Sequence, residues 1–421
     1  MAQYKDREHF IPIRSRELVE LLGGDKDLKP QDRELFRQFC RLVSATLHFE
    51  YKSRLDELKD AYAPFDPDPD TRSVVRLGAD ERQRRLNELF CDFAWLMERA
   101  NFKHLSRGEL EPALHGCSDW GIDMDVDFGA FERIAIFARG DAWEKRTRRR
   151  LRGMYRLEEA MVPVYKRLVI ILKMRKHKRL PREVDTQSVY LKVFKDIPKL
   201  DVKMLLPGAQ VCLSRFDRGR IGVPLVTGAG MMVWRVVGLA WKAIMDVGDD
   251  VVHAVMGAAT GNPWLVWWIV ASGSLGYGYQ SYYGYRQLRQ RYHLTLTESL
   301  YYQNLDSNGG VLTRVLDEAE EQQAGGAMLA YYFLWRYAGE QGWTGPALDD
   351  YVETYLEGAT GLKVDFGAGA ALATLERMRV VRKCGDLYRA VPVEKALEML
   401  DWTWDNYFKY NNPEPEAPPV A

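Results

Sequence analysis

Hydrophobic and polar positions change period along this chain. Residues 31–62 put Leu35, Phe39, Leu42, Phe49, Leu55 and Leu58 on a near-helical period with charges between them, which predicts one long amphipathic helix. A second helix is expected from near Asp80, with Gln83 placed as in a capping box, through Leu86, Leu89, Phe90, Phe93, Leu96 and Met97. Ser106 and Glu109 form a further capping box, so residues 1–118 read as a helical region. From Trp120 the period shortens. IDMDVDFGAFERIAIFARG alternates, and RLVIILKM (167–174) and SVYLKVFKDI (188–197) are β-rich, predicting a small antiparallel sheet within an α+β unit over 119–215.

Between Ile221 and Tyr285 the chain turns apolar. No Asp, Glu, Lys or Arg occurs from Val251 to Tyr285, and the 23 residues from Pro263 to Tyr285 would span roughly 34 Å as a helix. Trp264, Trp267 and Trp268 stand at one end of this stretch and Tyr277 to Tyr285 at the other, as in the aromatic belts of spanning helices. The expectation is a transmembrane hairpin over 216–291, with spans at about 221–241, which carries Arg235, and 263–285. Arg215, Arg218 and Arg220 precede it and Arg286, Arg289 and Arg291 follow, which would hold both termini cytoplasmic. The competing reading is a helical hairpin buried inside a soluble protein.

Beyond it, helices are expected at Leu294–Asp306 and Val311–Ala338, interrupted at Ser307–Gly310. Thr344 caps PALDDYVETYLE, a helix follows from Asp365 through Leu375, and two short strands flank Gly385–Asp386. That order is winged-helix-like and closes a C-terminal unit over 292–411. Residues 412–421 are too rich in Pro and Glu to fold. The expected fold class is therefore an α+β membrane protein with an N-terminal helical region, a small antiparallel sheet, a transmembrane hairpin and a winged-helix-like end.

Composition narrows the function classes. Lys plus Arg and Asp plus Glu balance at 59 each, so no global field draws the chain to nucleic acid. The five cysteines show no C-x-x-C pairing, as expected of free thiols in a reducing compartment. The amino terminus is neither a secretory signal nor a transit peptide, which places the expected membrane protein in a bacterial inner membrane.

Candidate chemistry is sparse. Asp246, Asp250 and His253 fall at i, i+4 and i+7, so a helix would gather them as ligands for zinc or manganese, with Asp249 beside them. Asp123, Asp125 and Asp127 share one face of a strand, an arrangement that burial of Ile122, Met124, Val126 and Phe128 on the other face produces by itself. Asp66, Asp68 and Asp70 lack the turn Gly and closing Glu of a calcium loop, where Thr71 and Leu77 stand. Two basic runs, 145–152 and 173–182, suit anionic lipid headgroups or a nucleic-acid backbone. Nucleic acid is the weaker expectation, because GAGAALATL (367–375) in the second winged-helix helix carries no base-reading side chain. No nucleophile elbow, Walker loop, dinucleotide fingerprint or H-E-x-x-H motif occurs, and no cofactor is expected.

FIPIRSRELVELL, YLKVFKDIPKLDVKMLLPG, LYYQNLDSNGGVLTRVLDEAEEQ and DFGAGAALATLERMRVV, in that order, resemble the domain-of-unknown-function family that includes the mitochondrial transmembrane protein 143. The resemblance implies a membrane protein with paired spans between soluble parts, and it implies no activity or residue role. The expected function is a membrane-anchored, non-enzymatic scaffold or regulator that binds protein partners at the cytoplasmic face, with homo-oligomerisation open. The alternatives are a metal-dependent membrane enzyme using the acidic loop and an oligomeric pore lined by Arg235.

Overall fold

The computed structural model describes residues 7–69, 77–106, 123–149, 157–180, 184–212 and 302–407, with a few isolated positions besides. Apolar residues at helical spacing build α1 (Ser15–Gly23), α2 (Pro30–Tyr62) and α3 (Ala79–Arg99). Pro30 opens α2 at the position where a missing backbone N–H costs nothing, and the helix buries Phe36, Phe39, Val43 and Leu47 along one stripe.

An antiparallel sheet follows, ordered β1 (Lys103–His104), β3 (Phe131–Arg149), β4 (Leu157–Met174), β5 (Val189–Pro198), β7 (Asn304–Ser307). A separate two-stranded pair joins β2 (Asp123–Asp125) to β6 (Gln210–Cys212). The main sheet is covered on both faces, which explains its almost continuous apolar runs. Phe137, Val169, Ile171, Leu191 and Val193 pack toward the helices, while Ile136, Ala138, Leu168, Ile170 and Leu172 pack with Val202 and Leu206 on the other side. Gly140 interrupts β3 at φ +74°, and an added Cβ would lie 2.9 Å from Cβ of Lys166. Only glycine fits this bend.

Helix α4 (Gly309–Phe333) runs through the middle, packed against α1, α2, α3 and the sheet, and every residue from Ala324 to Phe333 is buried. Behind it come a π-helical turn (Leu334–Ala338), β8 (Trp343–Thr344), α5 (Gly345–Thr360), α6 (Ala368–Arg377), β9 (Val381–Cys384), β10 (Leu387–Ala390) and α7 (Val393–Asp405). The strands pair as β8-β10-β9, so helix, strand, helix, helix, strand, turn, strand follow in winged-helix-like order. Gly326 lets α4 and α6 cross closely, since an added Cβ would touch that of Ala371 at 3.6 Å. One continuous apolar core reaches from Ile11 to Leu400.

Several expectations are corrected. The membrane-protein class, with its location in a bacterial inner membrane, is not supported: among the described residues no helix is long and apolar enough to cross a membrane. Helices α2 and α4 have the length, at 33 and 25 residues, but α2 is banded with charge and α4 carries Asp317, Glu318, Glu320 and Glu321 mid-helix. Both bury their apolar faces against protein. The expected spans 221–241 and 263–285 lie outside the described residues apart from Tyr283. The chain is instead a mixed α/β protein with an antiparallel sheet. Residues 304–307, expected as helix, form β7, because the free edge of β5 offers them ladder hydrogen bonds and Asn308 N–H donates to Leu191 O at 2.8 Å. Of the first basic run, Lys145 to Arg149 belong to β3, and residues 150–152 lie outside the described residues.

Gln322 sits buried in α4 and replaces a strand neighbour for the segment before α1. It accepts from Ile11 N–H at 2.7 Å and donates to Ile11 O at 2.8 Å. Gln322→Ala leaves both backbone groups buried and unmatched, at about 1–3 kcal/mol each. Urea unfolding of this variant should show a loss of about 2–4 kcal/mol, and a loss under about 0.5 kcal/mol would show that the pair is not structural.

Candidate functional site

Helix α5 begins at Thr344, whose hydroxyl accepts from Ala347 N–H, and its spacing puts Asp349, Glu353 and Glu357 on one face. The helix ends at Gly361 in the left-handed conformation, and the returning loop brings Asp365 back over that face. Asp349, Glu353 and Asp365 then offer carboxylate oxygens within 4.8 Å of one another. Loop amides meet two of them: Ala368 N–H donates to Asp349 at 3.2 Å and Phe366 N–H to Glu353 at 3.1 Å.

A strap from the amino-terminal end closes the cluster. Glu8 bridges Val364 in parallel register, with Glu8 N–H on Lys363 O and Asp365 N–H on Glu8 O, both at 2.9 Å. Arg7 reaches Glu353 at 2.9 Å and Glu357 at 3.2 Å, and His9 lies 2.7 Å from Asp365. Burial pushes Asp349 above the ordinary carboxylate range, against the opposing pull of the Ala368 and Gly367 amides. Burial also raises Glu353, although the Phe366 amide and Arg7 favour its charged form.

Carboxylates and an imidazole in this arrangement can hold a proton or a hard divalent cation. In this fold the Arg7 guanidinium supplies the positive charge, and the cluster fastens the strap to the α5–α6 corner. Among the described residues this is the only gathering of three metal-ligating side chains.

The residues singled out from sequence fare differently. Asp246, Asp250 and His253, like Arg235, lie outside the described residues. Asp127 is engaged by Gly129 N–H at 2.9 Å and by His177 at 3.3 Å, while the side chains of Asp123 and Asp125 are not described. Asp68 accepts from the Asn308 side chain at 2.6 Å. His48 pairs with Glu320 at 3.0 Å, and His104 packs edge-on against Phe137. In the second basic run, Lys173 is buried beside Glu132 at 3.0 Å. The Asp349/Glu353/Glu357 spacing is legible in DDYVETYLE, whereas Arg7, His9 and Asp365 carry no local signal.

A family model described as a protein of unknown function (DUF3754) matches residues 131–310, less than half of the chain. The matched part begins at β3 and ends in the first turn of α4, so it is similar to a domain of uncharacterised proteins and excludes the carboxylate cluster. Nothing in the match ties the chain to transmembrane protein 143. No solved structure matches this chain.

Because their pKa values are raised in the fold, the Asp349 and Glu353 carboxylates bind protons more tightly there than in the unfolded chain. Their contribution is then fully present below the ordinary carboxylate range and is lost as pH rises through the raised value. Asp349→Asn, which mimics the protonated group, should be more stable than the parent at pH 7, an advantage that shrinks toward pH 4. Urea midpoints at the two pH values measure this. A parent protein that millimolar Mn²⁺ stabilises, with no such effect in the variant, would instead make the cluster a metal site.

Proposed function

We propose that this protein is a non-enzymatic scaffold or regulator whose winged-helix-like end receives a protein partner on α6. The reading rests on the outward face of that helix. Gly369, Ala370 and Ala373 are exposed there, and Arg377 at its end is held by Glu50 of α2 at 2.6 Å. A helix that reads DNA projects Arg, Lys, Asn or Gln toward base edges. This one offers a smooth surface. Small side chains allow a second helix to approach closely, and the rigid seat beneath, with Leu372 and Leu375 buried, fixes that surface in place. The internally satisfied carboxylates, with Arg7 among them, favour a binding role over a catalytic one.

A photo-crosslinking side chain at Ala373 tests the reading in cells that express the full chain. A discrete protein adduct is expected, and Ala370→Glu on the same face should reduce it at least about tenfold without moving the thermal midpoint, because exposed Ala→Glu costs a helix little. No adduct, an adduct indifferent to Ala370→Glu, or salt-sensitive binding of duplex DNA lost in that variant would sink the proposal.

A further inference from the structure

The first basic run acquires a shape that its sequence does not announce. Strand β1 pairs with β3 only at Phe137 and Ala138, and β5 pairs with β4 only from Val164 to Lys173. The two long strands nevertheless continue together to Arg149 and Leu157. Among the described residues, Trp143–Arg149 and 157–163 therefore pair only with each other. They form a two-stranded ribbon that extends the sheet by about 20 Å at about 3.3 Å per residue. It leaves the sheet just past the Gly140 bend.

The ribbon has unlike faces. Trp143 stands opposite Pro163 and Lys145 opposite Met161, so alternation puts these four side chains on one side. Trp143 is 67% exposed and Met161 53%, while Val162, which points the other way, is only 3% exposed. Large apolar side chains this open to water near the base of such an arm lack the burial that would justify them as core. The described strand 143–149 carries Lys145, Arg146, Arg148 and Arg149 against Glu144, and by the same alternation Lys145 and Arg149 share the Trp143 face with Glu159.

We propose that this ribbon face seats on an anionic lipid surface, with Trp143 and Met161 entering the headgroup layer and the basic strand meeting the lipid phosphates and carboxylates. Indole rings settle at water–lipid boundaries, and clustered Lys and Arg are drawn to an anionic leaflet. A single-stranded nucleic acid would call for successive rings on which bases stack, and this face sets Met161 and Pro163 beside its lone indole. The contact is peripheral and needs no membrane-crossing helix. The second basic run cannot share it. Lys173 lies twelve positions along β4 from Met161, roughly 40 Å away, and is already paired with Glu132.

Flotation of the full chain with phosphatidylcholine vesicles, with and without about 30% phosphatidylserine, tests the proposal. Binding is expected only to the anionic vesicles and should fall at least about tenfold in 0.5 M NaCl. Trp143→Ala/Met161→Ala and Lys145→Glu/Arg149→Glu should each weaken it about tenfold or more, with unchanged urea midpoints. Lys176→Glu/Lys178→Glu, at the far end of the hairpin, should bind as the parent does. Equal binding to neutral vesicles, indifference to both ribbon variants, or a parent that ignores vesicles and binds a single-stranded RNA instead would overturn it.

Discussion

Helix α4 can lie in the interior only because Glu318 and the polar run from Glu320 to Gln323 are matched by different parts of the molecule. Glu318 meets Arg139 of β3, and Glu320 meets His48 of α2. Glu321 accepts from Ser15 N–H at the start of α1, and Gln322 pairs with both backbone groups of Ile11. Gln323 accepts from the Tyr51 hydroxyl and donates to Thr374 of α6 at 2.6 Å. A buried polar group without a partner costs about 1–3 kcal/mol, so a helix shifted by one residue would lose several matches together. The apolar ends of α4 provide burial, and this polar middle selects one arrangement of everything around it.

That arrangement has consequences beyond stability. Arg139, half enclosed by Phe10 and Phe102, carries the sheet to α4, while Lys166 on the neighbouring strand holds Glu8 of the strap. The same strap then fastens α5 and α6 through Arg7 and His9. The back of the winged-helix-like unit is thereby used up on internal packing against α4, through Gly326 and Ala371. The outward face of α6 stays exposed at Gly369, Ala370 and Ala373. At the far end of α4, Asp25 accepts from the hydroxyls of Tyr332 and Tyr337 at 2.9 and 3.2 Å. Burial alone would raise Asp25, but the Asp27 amide, these hydroxyls and Arg336 together hold it below its ordinary value. Phe39 stacks on Tyr331 with ring centroids 3.8 Å apart. These contacts give the π-helical turn a packing explanation.

The candidate site divides along a similar line. Asp349, Glu353 and Glu357 share a helix face by spacing alone, and that much was written in the chain. Arg7 pairs with Glu353 across nearly the whole length of the molecule, and Asp365 reaches the cluster only after Gly361 turns the chain back. No local period records such a meeting. Asp66, Asp68, Asp123 and Asp125 looked as suggestive in sequence, and the described contacts of Asp68 and Asp127 are with neighbouring protein groups.

Helix α2, the β-rich runs of β4 and β5, and the helix-helix-strand-strand order after Thr344 were all set by local period, because amphipathic spacing needs only neighbours within a turn or two to declare itself. Tertiary structure alone decided that residues 304–307 would be a strand, since a four-residue segment takes the conformation its available hydrogen-bond partner demands, and here that partner was the edge of β5. It also decided that the long described helices bury their apolar stripes against one another and the sheet, and that Lys145–Arg149 extend a strand. Charge and hydropathy state what a segment can tolerate; which surface covers it depends on contacts hundreds of residues away.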